Sequence, residues 1–197
     1  MSRRYYEITF TPSVVAAQAR FGVAGPAAAM AAAELDDAHL GEGERAFIAA
    51  RDSFYMASVT EDGWPYLQHR GGSAGFLRVL DDRTLAFADF RGNKQLLSTG
   101  NLDADDRVAL FLMDYPNRRR LKLMARCRVV SAADDLALAA RVEDPDYRAR
   151  VERVFVFTLE AFDWNCPQHI SPRFTAHEVS VSAAESDGPF AHLFHSR

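Results

Sequence analysis

The sequence predicts a mainly β protein with peripheral helices, an α+β fold in a single domain. From residue 53 onward, apolar and polar side chains alternate with a period of two, which is the spacing of half-buried strands. Before residue 53 the pattern is helical and rich in alanine. The 197 residues contain no internal repeat and no linker. We therefore expect one domain over 1–197, with a helical extension at about 1–50.

The N-terminal extension carries helix signals. Thr11 and Pro12 resemble a helix start, with threonine as the cap and proline at the first helical position. Gly25 and Pro26 interrupt the pattern before the alanine-rich segment AAAMAAAELDDA, for which helix is favoured over disorder. A further helix is expected in GERAFIAARD.

The strands follow in hairpins. Turn residues at 61–64 separate SFYMASVT from PYLQHRG, and a second turn lies at 81–83. Three later strands are expected in RVALFLMDY, RLKLMARCRVV and RVFVFTLEAFDW, after a helical segment, broken at Pro145, that precedes the last of them. We expect six strands in all, with one helix inserted after the fourth. Strands in that number tend to close into a small barrel, because closure removes exposed edges.

Composition excludes several classes of function. The net charge of -4 argues against a general nucleic-acid binder. No run approaches the roughly 20 apolar residues of a membrane helix. The basic N-terminus lacks an apolar h-region, so we expect no secretory signal and a cytoplasmic location. Cys127 and Cys166 form no CxxC pair and predict no disulfide framework.

The common catalytic and metal motifs are missing. The sequence contains no P-loop, no GxGxxG, no HExxH and no GxSxG. His192 and His195 have the spacing of a ligand pair, but no third ligand is near. We therefore predict no metal site.

The first candidate site is ADFRGNKQLLSTGNL, residues 88–102. Asn93 and Lys94 fall where a helix is predicted to begin, and Ser98 follows about one turn later. A bound phosphate there would gain backbone N–H donors, the Lys94 charge and possible help from Arg91. The alternative is an exposed basic turn in which Arg91 pairs with Asp89.

The second candidate site is QHRGG, residues 68–72, at the end of a strand. Adjacent glycines weaken a strand and often mark close approach by a ligand or another backbone. Arg70 beside them can reach an anion. The alternative is a β-bulge with a surface arginine.

The third candidate site is FDWNCPQHISPRF, residues 162–174. Two prolines stiffen this loop, which suits precise placement of Trp164 and Arg173. The alternative is a packed connection with Trp164 in the core.

Taken together, these segments resemble the pyridoxamine 5'-phosphate oxidase-like family of FMN-binding split barrels. The resemblance covers roughly residues 45–175 and rests on the order of three pieces: FYMASVTEDGWPYLQHRGG, GFLRVLDDRTLAFADFRGNKQLLSTGNL and RVALFLMDYPNRRRLKLMARCRVV. It implies a six-stranded Greek-key split barrel. It also implies a homodimer with two FMN molecules at the interface and a small-molecule redox substrate.

The resemblance also implies which residues contact the cofactor. The second strand would lie along the flavin, the fourth would end beside it, and Asn93 and Lys94 would hold the phosphate. Trp164 and Arg173 would come from the partner chain. The full set of expected cofactor-binding residues is Gln68, His69, Arg70, Gly71, Ala88, Asp89, Arg91, Asn93, Lys94, Ser98, Arg120, Trp164 and Arg173.

Two departures separate the chain from pyridoxamine-phosphate oxidases themselves. Those enzymes have a basic pair where this chain has Asn93 and Lys94, and their C-terminal Arg-Leu-His-like run is missing after Trp164. The sequence therefore supports flavin binding more strongly than vitamin B6 oxidation, and it identifies no catalytic residue. A non-catalytic flavin-binding or redox-sensing protein stays open, as does a split barrel that binds deazaflavin or haem.

Overall fold

The structure, a computed structural model, describes residues 3–23 and 39–184. The helices are α1 (Arg3–Thr9), α2 (Pro12–Arg20), α3 (Glu42–Ala49), α4 (Leu97–Ala104), α5 (Leu136–Val142) and α6 (Ala176–Ala184). The strands are β1 (Ser53–Val59), β2 (Pro65–Gly71), β3 (Arg78–Val79), β4 (Thr84–Phe90), β5 (Arg107–Asp114), β6 (Arg119–Ser131) and β7 (Val151–Trp164). The alanine-rich segment, His192 and His195 lie outside the described residues.

The strands form one antiparallel sheet in the order β2-β1-β5-β6-β7-β4-β3, which confirms the predicted fold class. The sheet has seven strands rather than six, and β3 contributes only two residues, paired with Leu85 and Ala86. No pairing among the described residues joins β2 to β3, so the sheet is open rather than closed. It nevertheless curls strongly. The curl is shown by Arg70 on β2, which lies 3.4 Å from Asp89 on β4, near the opposite edge of the sheet.

Two apolar clusters hold the sheet in this shape. The larger fills the concave side and is rich in aromatic rings, with Phe54 on β1 packed edge-on against Phe87 and Phe157. The smaller joins β4 and β7 to α5 through residues such as Leu138 and Val154. Both clusters follow from the period-two pattern, because successive side chains of a strand point to opposite faces of the sheet. On β4, Leu85 and Phe87 face the larger cluster, and Ala86 and Ala88 face the smaller one.

The segment after α5 corrects one prediction. We expected the chain to remain helical, apart from a break at Pro145, until the last strand begins. Instead, residues 144–150 form a non-helical segment with a turn at 145–146, and the strand starts at Val151. The carboxylate of Asp144 accepts a hydrogen bond from the backbone N–H of Asp146. The backbone carbonyl of Asp144 accepts one from the backbone N–H of Tyr147. Such local bonds compete with helix formation, and Pro145 has no N–H to continue the helix.

The N-terminal helices differ in how they meet the sheet. Tyr5 of α1 is buried, and Arg4 forms an ion pair with Glu160 on β7. Thr11 caps α2 as predicted, accepting from the Val14 N–H, but α2 buries none of its residues. Among the described residues, no helix is both long enough and apolar enough to cross a membrane.

Candidate functional site

A polar recess lies where β2, the end of β4 and the loop before α4 meet. Its volume is about 120 Å³. It is lined by Tyr66, Gln68, Arg70, Asp89, Phe90, Gly92, Asn93, Lys94, Gln95, Leu96, Leu97, Ser98, Thr99, Arg153 and Phe155. The curl of the sheet therefore joins the first two candidate sites, residues 88–102 and QHRGG, into one site.

Asp89 organises the charge of this recess. Its carboxylate accepts hydrogen bonds from Arg153 at 2.7 and 2.9 Å, and from Arg70 at 3.4 Å. All three side chains are about four-fifths buried, which favours strong pairing. One carboxylate thus serves two arginines, and Lys94 adds a third cation to the lining. The cations outnumber the carboxylates that line the recess, so it is suited to an anion.

Arg70 has an unusual environment for a guanidinium. It lies 5.0 Å above the Phe155 ring and 5.5 Å above the Phe87 ring. Burial lowers the pKa of Arg70, and the charge of Asp89 opposes that shift. Its Nε is buried without an acceptor among the described residues. A buried donor without a partner costs about 1–3 kcal/mol, which an added acceptor would relieve.

The loop ahead of α4 has a strained backbone. Lys94 and Leu96 have φ angles of 60° and 54°, in the left-handed region that favours glycine. Asn93 supports the loop, because its side-chain oxygen accepts from the Gln95 N–H at 3.2 Å. Alternation of left- and right-handed residues is a known way of turning backbone N–H groups toward an anion.

The same loop corrects the predicted helix boundary. We expected the helix to begin near Asn93 and Lys94, but α4 begins at Leu97. Leu96, in its left-handed conformation, cannot continue a right-handed helix toward the N-terminus. Ser98 is the second residue of the helix and is buried at the recess.

Of the other predicted residues, some line the recess and some point away from it. Gln68 lines it and accepts from the Tyr66 hydroxyl at 2.5 Å. His69 and Gly71 alternate to the outer side of β2, where His69 packs edge-on against Tyr55. Ala88 faces the cluster under α5. Arg91 is two-thirds exposed and lies 4.0 Å from Glu152, so the alternative in which it pairs with Asp89 is wrong.

The remaining predicted residues lie in a second cavity, of about 480 Å³, or near it. Asn117 to Arg120, Trp164, Asn165 and Pro167 line this cavity. Arg120 donates to the Cys166 carbonyl at 2.9 Å, and Arg173 lies over the nearby Tyr115 ring. Among the residues that the structure describes, the two cavities share no lining residue.

Sequence reasoning missed Tyr66 and Arg153. Tyr66 had a detectable signal, because it shares the period-two face of Gln68 and Arg70. Arg153 had none, since its position depends on the register that places it opposite Asp89. Among the described residues, no group of three His, Cys, Asp or Glu side chains is arranged to hold a metal ion.

Comparison with known families agrees with the fold. The family model described as pyridoxamine 5'-phosphate oxidase matches residues 40–166, which is more than half of the chain. The chain belongs to this family. The match includes β1 to β7 and the whole lining of the recess. Comparison with curated protein sequences gives no match.

Several solved structures are similar to this chain at low sequence identity. A Lactobacillus delbrueckii protein named for pyridoxamine 5'-phosphate oxidase is 22% identical, with a TM-score of 0.50 over 66% of this chain and 97% of that one. An F420 reductase is 20% identical, with a TM-score of 0.46 over 63% and 98% of the two chains. An FMN-binding protein from Syntrophomonas wolfei is 13% identical, with a TM-score of 0.44 over 62% and 83%.

Proposed function

We propose that this pyridoxamine 5'-phosphate oxidase family member binds FMN and is an oxidoreductase for a small molecule. The observation that carries the proposal is Arg70, a mostly buried cation in the recess whose Nε has no acceptor in the described part of the chain. A phosphate oxygen is the kind of acceptor that this donor lacks. FMN is the phosphate-bearing cofactor that we propose, because the chain belongs to this family and one structural neighbour is named an FMN-binding protein.

The size of the recess fits one end of the cofactor. Ligand pockets that enclose a whole small molecule usually measure about 300–1,000 Å³. The recess, at about 120 Å³, suits the phosphate and the start of the ribityl chain. Arg70, Lys94 and Ser98 would hold the phosphate, while Gln68 lies further along β2 for the rest of the cofactor. Asp89 and Arg153 keep the Arg70 guanidinium in place.

FMN, when bound, supplies the electron transfer, and the protein supplies position, electrostatics and access. The residues of this chain have three tasks in that scheme. The cations neutralise the phosphate, Phe155 and Phe87 shield Arg70 from water, and α4 fixes Ser98. The substrate and the electron acceptor are not specified by these contacts.

The rest of the cofactor site would come from a second copy of the chain. The outer face of β2, β1 and β5 is largely apolar yet partly exposed, with Leu67 63% and Tyr55 37% accessible. In the sheet register, Leu67 neighbours Ala57, while Tyr55 neighbours His69 and Phe111. A continuous apolar sheet face of this kind is typical of an interface between subunits. We propose a homodimer through this face, in which Trp164 and Arg173 of each copy contribute to the cofactor site of the other.

The experiment is FMN binding by the purified protein and by Lys94→Asn. Asparagine tolerates the left-handed conformation of residue 94 but removes the charge. A charge-assisted hydrogen bond is worth about 1.5–3 kcal/mol, so we expect FMN to bind about 10- to 100-fold more weakly. Flavin absorption, with bands near 450 and 370 nm for any bound flavin, and a fluorescence titration measure this directly.

Arg20→Ala, on the exposed end of α2, is the matched control and should leave FMN affinity unchanged. Protein that binds no FMN would contradict the proposal, and unchanged affinity in Lys94→Asn would remove the phosphate assignment. Bound FMN without oxidation of reduced nicotinamide or other donors would favour the non-catalytic flavin-binding alternative. The absorption spectrum of a bound deazaflavin or haem would favour the alternative of a split barrel that binds one of those cofactors.

A further inference from the structure

The turn between β5 and β6 concentrates positive charge. Three consecutive arginines, Arg118, Arg119 and Arg120, line the cavity of about 480 Å³ together with Trp164. Arg118 and Arg119 are exposed, and Arg119 lies 4.6 Å above the Trp164 ring. We name residues 118–120 the arginine turn.

The buried acid at the end of β5 does not neutralise this charge. Asp114 accepts hydrogen bonds from the Asn117 backbone and side chain at 3.0–3.2 Å, and it pairs with Arg51 at 3.6 Å. Glu44 accepts from the Trp164 ring N–H at 2.7 Å. Within residues 3–23 and 39–184, no carboxylate forms an ion pair with any arginine of the turn.

The backbone of the turn is strained at a residue type that does not favour this conformation. Arg118 has a φ of 52°, a left-handed conformation that glycine adopts without strain. Hairpin turns that need this conformation normally place glycine or asparagine there. An arginine at this position lowers stability and adds a cation to the lining of the cavity. Strain of this kind is concentrated at functional sites.

Two arginines of the turn are also fixed in orientation. The Arg119 guanidinium is held over Trp164 and lies 5.3 Å from the Phe47 ring. Arg120 is tied to the Cys166 carbonyl, and its Nε is buried without an acceptor among the described residues. Guanidinium groups that are fixed and lack carboxylate partners are suited to bind an oxyanion through paired N–H donors.

We propose that the arginine turn binds the carboxylate or phosphate group of a small organic anion. The inference rests on the proposed function only in naming that anion as the substrate of the flavin site. Oxyanion binding itself needs no FMN, because Arg118 and Arg119 are not among the residues of the phosphate recess.

Trp164 provides the measurement. The sequence has two tryptophans, and Trp64 is 73% exposed in a turn, so Trp64→Phe makes Trp164 the only tryptophan reporter. Inorganic phosphate and benzoate are titrated separately into flavin-free Trp64→Phe protein, with sodium chloride at equal ionic strength as the salt control. We expect saturable quenching by phosphate, benzoate or both, and none by chloride. Tighter binding of phosphate or of benzoate would indicate which oxyanion the natural ligand carries.

Arg118→Gly in the same background separates binding from folding. It removes the charge and relaxes the backbone, so we expect at least tenfold weaker anion binding with an unchanged or higher melting temperature. Arg119→Gln should also weaken binding, whereas the exposed control Arg20→Ala should not. Unsaturable quenching, equal quenching by chloride, or unchanged affinity in Arg118→Gly would overturn the proposal.

Lys94→Asn distinguishes this site from the phosphate recess. If the proposal holds, this variant loses FMN affinity but keeps phosphate or benzoate quenching at Trp164. Loss of that quenching in Lys94→Asn would assign the signal to the recess and overturn the proposal. Failure of FMN binding alone, with anion binding retained, would refute the proposed function and leave the arginine turn standing.

Discussion

At the scale of single residues, the pairing of strands decides which side chains Asp89 contacts. Its place at the end of β4 follows from the sequence pattern. Its partner Arg153 is 64 residues away and stands opposite only because β4 and β7 pair in that register. Arg70 reaches the same carboxylate from β2 because the sheet curls. A strand-end aspartate thus becomes the anchor of a cationic recess.

The two cysteines are expected to differ in reactivity. Cys127 is 3% exposed, and burial raises its pKa to about 12. At pH 8 only about one Cys127 thiol in ten thousand is then ionised, and the thiolate is the reactive form. Cys166 is exposed. Titration with a disulfide reagent at pH 8 should modify one thiol per chain rapidly and the second only after denaturation.

Cys166→Ser is the control for that assignment. This variant should show no rapid phase in the native protein and one thiol after denaturation. Two rapid thiols in the native wild-type protein would contradict the buried position of Cys127.

At the scale of elements, α1 depends on its contact with the sheet. A helix of seven residues is not stable alone, since most isolated helices of that length unfold in water. Burial of Tyr5 and the 3.1 Å ion pair between Arg4 and Glu160 attach it to β7. The sequence predicted a helical extension over about residues 1–50, but it did not indicate this contact.

The attachment of α1 should depend on pH. The hydrogen bond from Arg4 is the largest cause of the lowered pKa of Glu160. Because the folded pKa is depressed, this stabilisation is complete above the ordinary pKa of 4.5 and is lost as pH falls through the folded value. Hydrogen exchange of residues 3–9, corrected for the intrinsic pH dependence, should therefore show more opening at pH 3 than at pH 7.

Glu160→Gln should reproduce the effect at pH 7. The pair is partly exposed and is worth up to about 1 kcal/mol, so exchange should rise roughly fivefold at most. Glu7→Gln is the matched control, because Glu7 pairs with Arg3 and Arg4 inside the helix without reaching β7. Equal exchange in Glu160→Gln and wild type would show that the ion pair does not contribute to the attachment of α1.

At the scale of the whole molecule, the curl of the sheet determines the site. It brings β2 against β4 and β7, and it exposes an apolar face on the convex side. The proposed dimer would cover that face and bring the second cavity of one copy to the recess of the other.

The dimer is tested by the mass of the protein in solution. We expect a mass of about twice the 22.0 kDa chain by light scattering, and a monomer for Leu67→Glu, because a buried unpaired charge opposes association. Leu136→Glu, on the surface of α5 and 75% exposed, is the matched control and should stay dimeric. A monomeric wild type at micromolar concentration, or a dimeric Leu67→Glu, would contradict the interface.

The sequence by itself determined the fold class, most strand and turn positions, and the cationic stretches around Arg70 and Lys94. These are local properties, since period-two alternation and turn residues act within a few positions. It misplaced the start of α4 and extended the helix beyond α5, because left-handed residues and side-chain turns override helix propensity. Only the tertiary structure decided that Arg70, Asp89 and Arg153 meet and that Arg118 is strained. The first depends on strand register and on the curl of the whole sheet, and the second on how β5 and β6 pair around the turn. No periodic pattern of the sequence encodes either.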